Sequence, residues 1–336
     1  MSADQSPLNS SPQVVSAEQA GQTLSAFVRT LLPGQSWSAV RGQIERRHVT
    51  IGGSVCMDPA RRLKAGETVE LRSKPVQEVR GERPEDVVIR HLDADVVVVE
   101  KVSGLNTVRH PAELDWTEAR RELAPTLEDV TQKAIGWKLR EKPRDLPRLR
   151  IVQRLDKDTS GLVVFARSVR GERELGRQFK DHTVVRRYVA IVPGHMEPQT
   201  IRGYLVRDRG DGRRGSGAES GGKFAVTHVT IHEKFPNHTA LICQLETGRT
   251  HQIRIHLSEA GHFICGEKVY TIRPDGSQLP DPSNAPRLAL HALELGFVHP
   301  GTEEKMFWSM PLPVDLQKFM ERLRAEKPNA PRGKGS

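Results

Sequence analysis

The chain has 336 residues, a formal net charge of +9 and a pI near 9.6. It is too long for one small domain, has no apolar run able to cross a bilayer, and is basic enough that nucleic acid is the first partner to expect. An aromatic content of 5% speaks against a stacking platform for single strands, and three scattered cysteines (Cys56, Cys243, Cys265) fit a reduced cytoplasmic compartment rather than a disulfide framework.

In chain order, residues 1–20 are polar and proline-containing, so a disordered tail is expected, without the apolar core of a signal peptide. Leu24, Phe27, Val28, Leu31 and Leu32 recur at helical spacing until Pro33-Gly34 stops them. A second helix is expected from Ser36 or Ser38, with Val40 and Ile44 inward. Strands are predicted at 49–51 and 54–56 around the hairpin signal Gly52-Gly53, and a last one at 68–72. Arg41, Arg46, Arg47, Arg61, Arg62 and Lys64 concentrate here, a pattern suited to phosphate contacts. The small domain is thus 21–72. Residues 73–84 read as a linker, 85–325 as a large domain and 326–336 as a polar tail.

Within the large domain, four valines at 96–99 predict a buried strand. Residues 111–147 are long and hydrophilic, a peripheral insertion, with a capping box at 126–129 and Val130, Ala134 and Trp137 at helical spacing after it. Asp158, Thr159, Ser160 and Gly161 then form a turn into a short apolar strand at 162–166. Arg154 and Asp156 therefore stand on a tight loop just ahead of a core strand. Such a loop can aim a catalytic carboxylate, or can simply hold a structural ion pair. A helix is expected at 171–180. In the strand 184–192, Val185, Val189 and Ile191 share one face and Tyr188 points away from it. Residues 207–222, rich in glycine and arginine, read as a solvated hairpin tip. Strands at 224–232 and 239–247 precede a helix with Thr250 as N-cap and Gly261 as left-handed terminator, carrying Arg254. His251, His256 and His262 lack metal-ligand spacing. Strands near 288–299 and a helix at 314–324 close the domain.

Three segments then coincide with one family. Arg154-Leu155-Asp156-Lys157-Asp158-Thr159-Ser160-Gly161, the pair Arg187-Tyr188, and the run from Thr247 to Arg254 together resemble the RluA-type RNA pseudouridine synthases. Gly261-His262 through Gly266 to Tyr270, Leu290-His291-Ala292 and Pro311-Leu312-Pro313 match as well. Gln153 stands where the family usually has histidine, and Glu267 where it usually has aspartate. Residues 41–53 and 62–71 resemble the small RNA-binding module named after ribosomal protein S four, with Arg46-Arg47-His48 in place of its glycine-containing turn.

The resemblance implies an α+β chain: a catalytic fold with a mixed, largely antiparallel central sheet and flanking helices, plus a small N-terminal α/β RNA-binding domain. It implies Asp156 as the catalytic carboxylate, Tyr188 stacked on the target uracil and Arg254 paired with Asp156. Arg154, Thr159, Arg249, His251 and Gln252 are the further substrate-contacting residues. No cofactor and no metal are expected. The expected partner is RNA, large-subunit ribosomal RNA first, with transfer RNA and small-subunit ribosomal RNA as alternatives. A monomer in the cytoplasm, off the membrane, is expected. A non-catalytic RNA-binding protein would not need Asp156, Tyr188 and Arg254. A base-excising hydrolase would need a second carboxylate to activate water, for which Asp158 is the close candidate.

Overall fold

The computed structural model describes residues 11–76, 83–210, 212–271, 277 and 279–328. The outer parts of the expected tails and linker, at 1–10, 77–82 and 329–336, lie outside the described residues. Contacts divide the chain into two units, Met1–Glu82 with Arg109–Thr126, and Arg83–Val108 with Leu127–Ser336.

In the first unit, α1 (Leu24–Leu31) and α2 (Trp37–Glu45) start at Thr23 and Ser36, whose hydroxyls accept from the Ala26 and Ala39 amides. Strands β1 (Gln13–Val14), β2 (Val49–Ile51), β3 (Ser54–Val55) and β4 (Thr68–Leu71) form an antiparallel sheet in the order β1-β4-β2-β3. Leu24, Phe27 and Val28 pack with Val40, Ile44, Val49 and Val69. Residues 11–20 are not disordered: β1 pairs with β4 and Val15, 1% exposed, enters this core. One buried valine in a polar segment has no periodicity to reveal it. Residues 109–126, read as part of an insertion in the large domain, group with this unit. On α3 (Glu118–Glu122) Arg120 grips the buried Asp58 through Nε at 3.1 Å and Nη2 at 2.8 Å, and lies over the Trp116 ring.

Of the six basic residues expected to face RNA here, Arg41, Arg46, Arg62 and Lys64 are exposed. Arg47 and Arg61 serve the fold instead. Arg47 is buried and donates to the Val76 carbonyl, and Arg61 makes two bonds to Glu67, at 2.9 and 2.8 Å, that raise its pKa.

The second unit is built on one large sheet. Its strands are β5 (Ile89–Leu92), β6 (Val96–Lys101), β7 (Arg150–Ile151), β8 (Ser160–Ala166), β9 (Val185–Pro193), β10 (Gln199–Val206), β11 (Gly215–Ser216), β12 (Lys223–Lys234), β13 (His238–Leu245), β14 (Leu290–Val298) and β15 (Lys305–Ser309). The order runs β11-β10-β12-β13-β9-β14-β8-β6-β5, with β15 on β14 and β7 on β8. Only β14 and β8 pair in parallel, among the described residues. The mixed, largely antiparallel sheet is as expected.

Every residue of β8 is buried, because its alternating side chains enter two cores. Val163 and Phe165 join Val97 and Val99 under α4 (Leu127–Leu139), α6 (Gln252–Glu259) and α7 (Val314–Ala325). Leu162 and Val164 join Val96, Val98 and Leu175 of α5 (Val169–Lys180) on the other side. Tyr188 does not turn away from the apolar side of β9: it is 6% exposed and shares the larger core with Ala190 and Val192. Its strand is covered on both faces, so alternation alone could not separate inside from outside. α6 begins later than Thr250, with His251 as its cap at φ 58°, and Gly261 follows at φ 85°. No described helix is long and apolar enough to cross a membrane.

Candidate active site

The Asp156 loop is fastened from behind. Lys101 ends β6 fully buried, and its Nζ donates to the carbonyls of Val102, Lys157 and Thr159 at 3.0, 2.8 and 2.6 Å. Burial pushes its pKa down to about 7, against the charges of Asp158 and Asp156. The Gly104 amide donates to the same Lys157 carbonyl at 2.8 Å, and Ser103 Oγ donates to the Asp158 carbonyl at 2.7 Å. Thr107 Oγ1 both donates to Leu155 O, at 2.7 Å, and accepts from Leu155 N, at 3.1 Å. Ahead of the loop's exit, Gly161 at φ 128° crosses Ala292 so closely that a Cβ there would lie 2.3 Å from the Ala292 carbonyl oxygen. Beside it Ser160 Oγ bonds His291 Nδ1 at 2.9 Å, and His291 Nε2 bonds the Met310 carbonyl at 3.1 Å. Burial lowers the His291 pKa to about 4, so this imidazole is a neutral brace between β8 and β14.

Asp156, thus fixed, meets two groups from the start of α6. Arg254 Nη1 lies 3.5 Å from Oδ2 and His251 Nε2 lies 3.8 Å from Oδ1. Arg254 has a stronger partner in Glu267, which receives Nε and Nη2 at 2.7 Å each. Burial opposes the charge of Arg254, but those bonds and the field of Asp156 outweigh it, and its pKa is raised. Burial likewise opposes the charge of Glu267, and the same bonds overcome it, so its pKa is lowered. The Lys268 and Val269 amides, each 2.9 Å from Glu267 Oε1, hold the carboxylate in place. The pairing of Arg254 with Asp156 expected from sequence is therefore present but secondary.

His251 Nδ1 bonds the Tyr270 hydroxyl at 2.6 Å, and the Tyr270 ring lies 5.1 Å from the Arg254 guanidinium carbon. Burial lowers the His251 pKa and pushes that of Tyr270 up to about 12, so both are neutral at pH 7. Tyr188 is close enough for the Asp156 charge to act on it. Burial first, and that charge after Arg186's opposing one, raise its pKa. Gln153, where the family usually has histidine, lies near Tyr188. Its Oε1 accepts from the Val164 amide at 3.4 Å, which ties this side chain to β8.

The remaining sequence-chosen residues divide. Arg154 and Arg249 are exposed, Arg249 with Nε on the Phe224 carbonyl at 3.1 Å. Thr159 and Gln252 are buried, at 2% and 3%, and are corrections to the list of substrate contacts. The Thr159 carbonyl holds Lys101, while Gln252 ties Thr247, the Arg249 amide, Val226 and Thr227 together. Both are polar residues in a loop motif, where sequence does not distinguish a surface contact from an internal tie. Lys101 was missed altogether. Its only signal is a charge closing a run of valines.

Among the described residues, His91, Asp93 and His299 bring three metal-ligand types of side chain within 4.8 Å. His299 Nδ1 accepts from the Gly301 and Thr302 amides at 3.2 and 3.0 Å, which leaves the proton on Nε2, donated to Asp93 at 2.8 Å. That nitrogen has no lone pair for a cation, so the group fits a hydrogen-bonded cluster better than a metal site.

A sequence model of the RNA pseudouridylate synthases matches residues 95–259. Relatives align over nearly the whole chain, and the chain belongs to the RNA pseudouridylate synthase family. It is similar to ribosomal large subunit pseudouridine synthase D of Nitrosomonas europaea, 33% identical over 91% of this chain and 85% of that protein. The protein of the same name in Neisseria meningitidis serogroup B is 34% identical over 93% of this chain and 81% of its own length, and that of Escherichia coli K12 is 32% identical over 93% and 94%. Human RNA pseudouridylate synthase domain containing 4 shares the fold, with a TM-score of 0.55 at 23% identity over 72% of this chain and 94% of that one.

Proposed function

We propose that this pseudouridine synthase acts on uridines of large-subunit ribosomal RNA, with Asp156 as the carboxylate that touches the target nucleotide. The relatives' names support the substrate. The observation that carries the site is a half-exposed carboxylate on a loop pinned by Lys101, with Arg254 at 3.5 Å, His251 at 3.8 Å and a buried phenol beside it.

The reaction breaks the bond from N1 of uracil to C1′ of ribose, turns the base within the site and forms the C5–C1′ bond. The proton on C5 leaves and N1 gains one, so no atom is added overall. Asp156 acts at the ribose or the uracil, as nucleophile or base. Arg254 keeps it ionised and aligned, and is itself aimed by Glu267. Tyr188 stacks on the uracil. As a neutral phenol it can accept the C5 proton only by passing its own onward, so its part in that step is a relay. The exposed Arg154 fills the space the flipped base leaves. The first unit acts as a small RNA-binding module of the ribosomal protein S four kind, using Arg41, Arg46, Arg62 and Lys64 on phosphates.

The test is to incubate the purified protein with transcribed large-subunit ribosomal RNA and map pseudouridine. The protein forms it at defined positions, and Asp156→Asn abolishes formation while leaving the fold and RNA binding intact. Unchanged activity in Asp156→Asn would remove the assignment, and release of free uracil would identify a base-excising hydrolase instead.

A further inference from the structure

Arg186 precedes Tyr188 by two positions on β9, so the two side chains leave the same face of the strand with their roots about 7 Å apart. It is 6% exposed. Its Nη2 donates to the Glu246 carbonyl at 2.6 Å, its Nη1 lies where a Cβ on Gly248 would be only 2.7 Å away, and the Phe179 ring of α5 lies 5.4 Å from its guanidinium carbon. Its Nε makes no hydrogen bond, and no carboxylate pairs with it, among the described residues. The guanidinium therefore reaches from the strand that carries Tyr188 to the turn at 247–251 that leads into α6 and Arg254.

A tie to one backbone carbonyl asks for a donor, not for a charge. A neutral amide would serve it, whereas a cation buried without an anion is costly to the fold. Arg254, likewise buried, has Glu267 on it and Asp156 beside it. Arg186 has no such partner. The neighbour that can become negative is Tyr188, and each of the two favours the charged form of the other. Burial most of all, and Asp156 after it, act on the phenol in the opposite sense.

In the C5 step the C5–H bond breaks and its electron pair enters the ring, which releases a pair at N1 to a proton from water. The C5 proton goes to the phenol oxygen as the phenol's own proton passes to water. That oxygen carries negative charge to the extent that its own proton leaves first.

We propose that Arg186 is a positioning residue that acts through Tyr188, its buried positive charge stabilising the negative charge that the phenol oxygen carries as it takes the C5 proton. This rests on the RNA-isomerase reading above. The substrate is met by Tyr188, not by Arg186.

The experiment uses the full-length protein and a large-subunit ribosomal RNA transcript that the wild type modifies, made with uridine carrying hydrogen or deuterium at C5. Arg186→Gln keeps a donor for Glu246 and loses the charge. It is expected to lower kcat about tenfold or more, leave KM within about twofold, and enlarge the C5-deuterium isotope effect on the single-turnover rate. Arg186→Lys keeps the charge and stays within about threefold of the wild type. The chain has three tyrosines, so Tyr204→Phe with Tyr270→Phe leaves Tyr188 as the one phenol to titrate by its ultraviolet absorbance. In that background Arg186→Gln is expected to move the midpoint up by about one pH unit or more, and Arg186→Lys by less than about half as much. Thermal melts report folding, and Arg186→Met carries the same expectations if the glutamine variant does not fold. Wild-type kcat in Arg186→Gln overturns the proposal. So does an equal fall in the glutamine and lysine variants with the Tyr188 midpoint and the isotope effect unchanged, which would make Arg186 only a brace for the turn at 247–251. Failure of the wild type to form pseudouridine counts against the function reading instead.

Discussion

Arg254 is held by Glu267 through two bonds of 2.7 Å and meets Asp156 through one contact of 3.5 Å. The tight pair is buried and the looser contact opens toward solvent, so Glu267 orients the arginine and Asp156 feels the result. Removing Glu267 leaves a buried guanidinium with half its partners. Glu267→Gln is expected to cost about 3 kcal/mol of stability and to slow pseudouridine formation at least about tenfold. Glu267→Asp, the usual family residue, keeps the charge and recovers most of both. Thermal melts and single-turnover rates check this, and a Glu267→Gln protein with wild-type Tm and rate would contradict it.

Gly161 has no room for a side chain, since a Cβ there would meet the Ala292 carbonyl oxygen at 2.3 Å and its amide nitrogen at 2.5 Å. Its φ of 128° adds backbone strain for any other residue. Gly161→Ala is expected to lower stability by more than about 1 kcal/mol and to displace the Asp156 loop, with activity falling further than stability. Because the obstruction is backbone, trimming the neighbour with Ala292→Gly does not rescue the variant. Recovery in the double variant would show that only the Ala292 methyl is in the way.

Lys101 gives a pH-dependent signature. Its pKa falls from 10.5 unfolded to about 7 folded. Between these values the unfolded chain binds the extra proton, so this group's contribution to stability rises with pH across that window. Lys101→Met removes the titration and the three carbonyl bonds. The variant melts below the wild type, and the gap in Tm widens from about pH 7 to about pH 10 before levelling. The neighbouring Asp156, Asp158, Arg287 and Lys157 remain in both proteins and largely cancel in the difference. A gap independent of pH would mean that Lys101 keeps its ordinary pKa.

The parts legible in sequence were those with local pattern. The apolar run 162–166 announced a doubly buried strand, Gly52-Gly53 a hairpin, and the segments around Asp156, Tyr188 and Arg254 a converging set. What stayed hidden depends on contacts between distant loops. Glu267 was noticed as a departure from the family, but nothing in its neighbourhood marks it as the main partner of a residue 13 positions earlier. Thr159 and Gln252 belong to the two motifs that the family resemblance marks for substrate contact, and only burial separates them from Arg249. Arg120 reaches Asp58 across 62 positions, which no window of periodicity spans.

Between β6 and the Asp156 loop the chain stays tied to the catalytic sheet: Arg150 and Ile151 pair with β8, and Leu127, Val130, Ile135, Leu146 and Leu149 enter the larger core. Lys101 and the Gly104 amide share the Lys157 carbonyl, each at 2.8 Å, and Thr107 closes on Leu155 through its two bonds. Mechanically, only Arg109–Thr126, which groups with the first unit, is free of these ties, and changes of length inside it cost little loop-closure entropy. The bonds at Lys157 and Leu155 thereby separate the Asp156 loop from that segment. Length changes within Arg109–Thr126 are thus expected to leave the carboxylate where it is.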